Sequence, residues 1–217
     1  MTNFYEQIYD MHNQESVFGL PEQRLVELIA NQQFSQKYAC DLGCGDGRQT
    51  IYLASNGWDV VAVDNSSQAL KKLEVERKRR SLEKNIHLRC ENIGFLELEK
   101  DAFDLVMCIN TIHEIGELAT KYLLNKAKES TKEGGVVYLA FFVPYDGTYM
   151  KKACYYPFEA DIINEFGEWE LIAQDRVLFE HEHIILDSKG QTVVHKHMQA
   201  HLFFRKQATT INGYFSS

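Results

Sequence analysis

The chain has 217 residues, of which 45% are hydrophobic, 25% charged and 12% aromatic. That composition predicts one folded domain and excludes disordered, collagen-like and disulfide-stapled classes. Its 31 acidic residues against 23 basic ones leave a net charge of −8, which argues against diffuse attraction to nucleic acid or an anionic membrane and favours a small-molecule partner.

From the N-terminus, MTNFYEQIYDMHNQES lacks the basic-then-apolar pattern of a signal peptide, and no apolar run reaches the ~18–20 residues of a membrane span, so a cytoplasmic protein is expected. LPEQRLVELIANQ (20–32) reads as a helix with Pro21 near its first turn and Leu25, Leu28 and Ile29 on one face. YACDLG is the first strand, followed by a glycine-rich turn and a helix from about Gly47 to Ser55. WDVVAVD (58–64) is the second strand. SSQALKKLEVERKRRSLEK is a charged helix capped by Ser66, in which Arg77–Arg80 interleave with glutamates and so form a solvated face. IHLRCE and FDLVMCI (103–109) are strands three and four. A helix around 118–130, the turn TKEGG and VVYLAFF as a fifth strand complete a βαβ alternation typical of a doubly wound α/β sheet. A helix around 157–166 then leads into WELIAQDRVLFEHEHIIL and QTVVHKHMQAHLFFR, a β-hairpin turning at Asp187-Ser188-Lys189-Gly190. Five cysteines without a CxxC pair read as reduced thiols.

The most informative segment is DLGCGDGR (41–48), between a strand and a helix. Gly43, Gly45 and Gly47 allow a tight turn and close approach of backbone to ligand. Arg48 stands where the third glycine of a dinucleotide fingerprint belongs, which opposes nicotinamide binding. Asp41 at the mouth of the turn repels a pyrophosphate and attracts a cationic amino-acid ligand. Asp64, followed by Asn65 at the end of the second strand, is placed to accept from both hydroxyls of a ribose.

Together these residues resemble the motifs of class I S-adenosyl-L-methionine (SAM) methyltransferases. The resemblance implies a Rossmann-like α/β fold with a seven-stranded, mostly parallel sheet and an antiparallel C-terminal hairpin strand. It also implies SAM held by Asp41, Gly43 and Gly45 at its methionine part and by Asp64 and Asn65 at its ribose, with Asn92 and Ile93 at the adenine and Asn110 at the end of strand four. DLGCGDGRQTIYLASNGWDVVAVD, the YPF…EFGEWE segment and the hairpin with DSKG at its turn are similar to the TehB-type tellurite-resistance methyltransferases, over about 40–206. That likeness implies a small soft or anionic methyl acceptor, such as a tellurite- or selenite-like oxyanion or a thiol, in a monomer or homodimer.

His113, in Asn110-Thr111-Ile112-His113-Glu114, stands where ligands bind in open α/β sheets, as a general base or a hydrogen-bond partner of the acceptor. His183 is the second candidate on the acceptor side. His181, His183, His195, His197 and His201 share strand parity. If residue 183 lies opposite 195, four imidazoles gather on one face. His181, His183, His195 and His197 are then candidate metal ligands, or the group binds an anionic acceptor, or it is only a half-exposed strand pair. The competing class is a non-catalytic protein that binds SAM or a metal. The expected layout is one domain over 1–217: an N-terminal helical cap (1–35) in which Tyr5 and Tyr9 help cover the cofactor, a SAM-binding and catalytic core (36–206) and a tail (207–217).

Overall fold

The computed structural model describes residues 19–146, 154–181 and 195–208, with 179–181 and 195 described by backbone only. In chain order the elements are α1 (Gln23–Asn31), β1 (Tyr38–Leu42), α2 (Arg48–Ser55), β2 (Asp59–Asp64), α3 (Ser67–Arg79), β3 (Ile86–Cys90) and a 3₁₀ turn (Ile93–Phe95). There follow β4 (Phe103–Ile109), α4 (Ile112–Ile115), α5 (Glu117–Ser130), β5 (Thr131–Val143), α6 (Glu159–Phe166), β6 (Glu170–His181) and β7 (His195–Arg205). Seven strands form one sheet in the order β3-β2-β1-β4-β5-β7-β6. β1 to β5 are parallel, and β7 runs antiparallel to both of its neighbours. The expected α/β architecture with an antiparallel hairpin strand is therefore present.

Every residue of β4 is buried, as a near-continuous apolar run in a sheet covered on both faces requires. On one face α1, α2 and α3 pack over Ala39, Val60, Ala62, Leu105, Met107, Tyr138 and Phe203. On the other, α5 and α6 cover Cys40, Leu42, Val63, Val106, Leu139, Leu202 and Phe204. Side chains therefore alternate between two cores along each central strand.

Two boundaries depart from expectation. α3 stops at Arg79, five residues before the end of its charged pattern, because Ser81 takes a left-handed φ of 57°. Ser81 N–H then donates to the Lys78 carbonyl and Leu82 N–H to the Arg77 carbonyl, a Schellman closure. TKEGG is not a turn outside the sheet, since Thr131 already pairs with Phe103 and a bulge between Phe103 and Leu105 absorbs the extra residues. The basic run on α3 is a solvated face: Arg77 pairs with Glu74, and Arg79 and Arg80 with Glu76. All five cysteines are free thiols. Among the described residues, no helix is long and apolar enough to cross a membrane.

One buried carboxylate fixes how the chain enters the sheet. Asp104, 2% exposed at the start of β4, accepts from the backbone N–H groups of Ser35, Gln36 and Tyr38 and from Ser35 Oγ, and lies 2.7 Å from Lys132 Nζ. Asp104→Ala strands those donors and a poorly exposed ammonium. It should cost about 3–5 kcal/mol of unfolding free energy, read from the urea midpoint. A loss below about 1 kcal/mol would show that water replaces the carboxylate.

Candidate active site

The carboxyl edge of the sheet is shaped first by the β1–α2 loop. Gly43, Gly45 and Gly47 all have left-handed φ values, of 76°, 56° and 88°. A Cβ on Gly43 would lie 2.2 Å from Thr111 Oγ1, so the loop closes directly against the segment that follows β4. The Gly43 and Cys44 N–H groups both donate to the Val63 carbonyl, tying the loop to β2.

Asp64 ends β2 and braces that loop: one carboxylate oxygen accepts from Gly45 N–H and the other from Ser66 N–H, both at 2.8 Å. It remains half-buried at the carboxyl end of β2. Asn65 beside it is exposed. Asp41 is 2% exposed and accepts from Thr50 Oγ1 at 2.7 Å. Burial pushes its carboxyl up to about 7; Asp64 adds to the rise, while Thr50 and Arg48 oppose it. This acid is therefore a poorly compensated charge whose ionised form is favoured by a cation brought near.

Asn92 caps the 3₁₀ turn through Oδ1, which accepts from Gly94 N–H at 2.9 Å, while Ile93 is buried at the start of that turn. Asn110 follows β4 with a left-handed φ of 59°, its N–H donating to the Ala140 carbonyl and its Oδ1 accepting from Gln199 Nε2 at 2.5 Å. His113, on α4, is 3% exposed. Its ring lies 4.4 Å from Phe142, which in turn lies 4.5 Å from His197, and Tyr156 stacks nearly parallel at 6.3 Å on His113. Four rings thus form a ladder over the carboxyl ends of β4 and β5. A cleft of about 440 Å³ lined by Pro144, Tyr145, Asp146 and Phe158 opens just beyond β5.

The hairpin keeps its histidines on the expected parity but pairs in a register two residues away from the one that sets 183 opposite 195. The register sets His181 opposite His195, Phe179 opposite His197 and Asp175 opposite His201, so residue 183 does not pair with 195. A two-residue slip preserves strand parity, so side-chain alternation does not distinguish the two registers. His197 packs on Phe142. His201 is fully buried, with Nδ1 2.8 Å from the Tyr138 hydroxyl. Burial, then Arg24, pushes its pKa down to about 4 against the pull of Asp175. Among the described residues no group of three or more His, Cys, Asp or Glu side chains is arranged to hold a metal ion. His183, Tyr5, Tyr9 and the DSKG turn lie outside the described residues, and of His181 and His195 only the backbone is described.

Sequence reasoning missed Thr50, Thr111, Phe142 and Gln199, none of which carries a motif. Thr50 is visible only as a hydroxyl one helical turn inside α2, and the others meet the site only through pairing of distant strands.

Residues 39–135, which hold the glycine loop, Asp64, Asn92, Asn110 and His113, match the family model described as a methyltransferase domain. The chain contains a methyltransferase domain and is similar to class I SAM-dependent methyltransferases. It resembles TehB of Haemophilus influenzae, with 23% identity over 137 residues covering 61% of this chain and 46% of TehB. The TehB crystal structure matches the methyltransferase with a TM-score of 0.71 at 19% identity, over 86% of this chain and 63% of that one. An uncharacterised methyltransferase of Synechocystis sp. is 29% identical over 163 residues, 74% of this chain and 69% of the relative. A Haemonchus contortus phosphoethanolamine N-methyltransferase, solved with S-adenosylhomocysteine, has a TM-score of 0.66 at 17% identity, over 94% of this chain and 56% of that one. The methyltransferase thus spans less than two thirds of the TehB and Haemonchus chains.

Proposed function

We propose that this methyltransferase alkylates a small acceptor through a soft or anionic atom, a thiol or an oxyanion of the tellurite and selenite kind, held above the carboxyl ends of β4 and β5. The observation that carries the acceptor side is the buried His113 imidazole, three residues beyond Asn110 and tilted against the Phe142 ring at 4.4 Å. The loop fits SAM: its left-handed glycines expose backbone in a tight turn packed on Thr111, and the under-compensated Asp41 carboxylate suits a cationic ligand. When bound, SAM supplies an electrophilic methyl group on a sulfonium.

The chain's own residues then divide the work. Asp41, Gly43, Gly45 and Asn110 hold the methionine portion, Asp64 and Asn65 the ribose, and Asn92 with Ile93 the adenine. Fixing the acceptor in line with the methyl group is worth up to roughly 7–11 kcal/mol of the barrier in favourable cases. A neutral imidazole at His113 takes the proton of an acceptor that arrives protonated, freeing the lone pair that forms the new bond. An acceptor already anionic needs no base, and His113 then serves as a hydrogen-bond partner.

The test is transfer from methyl-labelled SAM to tellurite, selenite, halide, thiol, carboxylate and amine acceptors. Label should appear with a thiol or a chalcogen oxyanion. His113→Gln should lower kcat on the thiol by about 100-fold or more while leaving S-adenosylhomocysteine affinity within about twofold. Label confined to amines or carboxylates, or unchanged thiol turnover in the variant, would overturn the assignment.

A further inference from the structure

Gln199 is a polar side chain in a place where the fold otherwise puts apolar or aromatic groups. It is 5% exposed in the middle of β7, between Phe142 on β5 and Val177 on β6. Its amide nitrogen reaches across β5 to Asn110 Oδ1, a contact between residues 89 apart in sequence. β5 contributes Ala140, opposite His201, on the same face, and so small a side chain leaves room for that reach.

The residue it holds is itself constrained. Asn110 occupies the left-handed region, uncommon for any residue but glycine and best tolerated by asparagine. Its backbone N–H is anchored to Ala140, and the next residue, Thr111, abuts Gly43 of the cofactor loop. With Oδ1 accepting from Gln199, Nδ2 is the end of the Asn110 amide that remains to meet a ligand. An amide has a donor end and an acceptor end, and only the donor end suits a carboxylate.

We propose that Gln199 is a positioning residue for the cofactor: by donating to Asn110 Oδ1 it leaves Asn110 Nδ2 as the end offered to the carboxylate of the methionine portion. This rests on the reading of the glycine loop as the SAM site. It adds that the far strand of the hairpin, rather than the loop alone, sets the polarity of that site.

The experiment compares binding of S-adenosylhomocysteine with that of 5′-methylthioadenosine, which keeps the adenosine and thioether but lacks the amino-acid portion, by calorimetry on the full chain. Gln199→Glu cannot donate as a carboxylate, so it turns the Asn110 amide over and presents an oxygen to the ligand carboxylate. It should weaken S-adenosylhomocysteine by about tenfold or more and leave methylthioadenosine within about twofold. Gln199→Met, which neither donates nor accepts, should give a smaller loss of the same selectivity. In an Asn110→Ala background, Gln199→Glu should add nothing. Equal losses on both ligands, or none on either, overturn the positioning role. If Asn110→Ala and Asp64→Ala weaken S-adenosylhomocysteine but Gln199→Glu and Gln199→Met do not, Gln199 alone falls. If the wild-type chain binds neither ligand, the site reading falls with it.

Discussion

Asp64→Ala should raise the dissociation constant for S-adenosylhomocysteine by at least about 100-fold. The carboxylate holds Gly45 N–H and Ser66 N–H at once, and the proposed ligand adds ribose hydroxyls to the same oxygens. Hydrogen bonds to a charged group are worth about 1.5–3 kcal/mol each, so losing two of them in the complex exceeds the 2.7 kcal/mol that 100-fold represents. The unliganded protein should lose less, about 1–2 kcal/mol, because water reaches the half-exposed site and satisfies the freed amides. Asp64→Asn is the conservative variant. Its amide keeps one acceptor but turns a donor toward the other backbone N–H, so it should bind almost as poorly as alanine despite its similar shape. Calorimetric titration of both variants decides the matter, and an affinity within threefold of wild type would remove Asp64 from the site.

The part of the site built on β1, α2 and β2 was legible in the sequence because its residues are close along the chain. DLGCGDGR fixes the turn through glycine, and Asp64 lies one strand away, in parallel register with Cys90 at the end of β3. The doubly wound order was legible for the same reason, since buried parallel strands advertise themselves as apolar runs such as FDLVMCI. The hairpin was legible too, but its register was not. Alternation gives which histidines share a face but is blind to a slip of two residues. Gln199 was hidden more deeply. Its partner lies 89 residues away on a strand that is not its neighbour, and nothing in HKHMQAHLFFR marks one polar residue as different from the rest. Local structure is legible where neighbouring residues fix a turn, and hidden where a side chain crosses the sheet.

At pH 8 and without ligand, Asp41→Asn should be more stable than wild type by about 2–4 kcal/mol, and it should bind SAM more weakly. The buried carboxyl titrates at about 7 in the folded chain against an ordinary 3.8, so between those values the folded protein holds a proton that the unfolded chain has released. Stability from this group is fully present below 3.8 and is lost as pH rises through 7, at about 1.4 kcal/mol per unit. Asparagine keeps an acceptor for Thr50 Oγ1 and has no charge to desolvate. His201 works in the opposite direction: its pKa falls from 6.5 to about 4 on folding, so its contribution is present above 6.5 and lost as pH falls toward 4. Over that shared window the two slopes cancel in the wild type. In Asp41→Asn only the histidine slope remains, and urea unfolding should show stability climbing by about 3 kcal/mol from pH 4 to 6.5. A wild-type curve as steep as the variant's would mean that Asp41 is ionised throughout. The same acid links pH to the cofactor. A sulfonium and an ammonium brought beside it favour the charged form, so below pH 7 binding should release a proton, detectable as a heat that changes with buffer ionisation enthalpy. Asp41→Asn should abolish that difference. The stability that the Asp41 carboxylate forgoes at pH 8 is thus the attraction it offers to a cation.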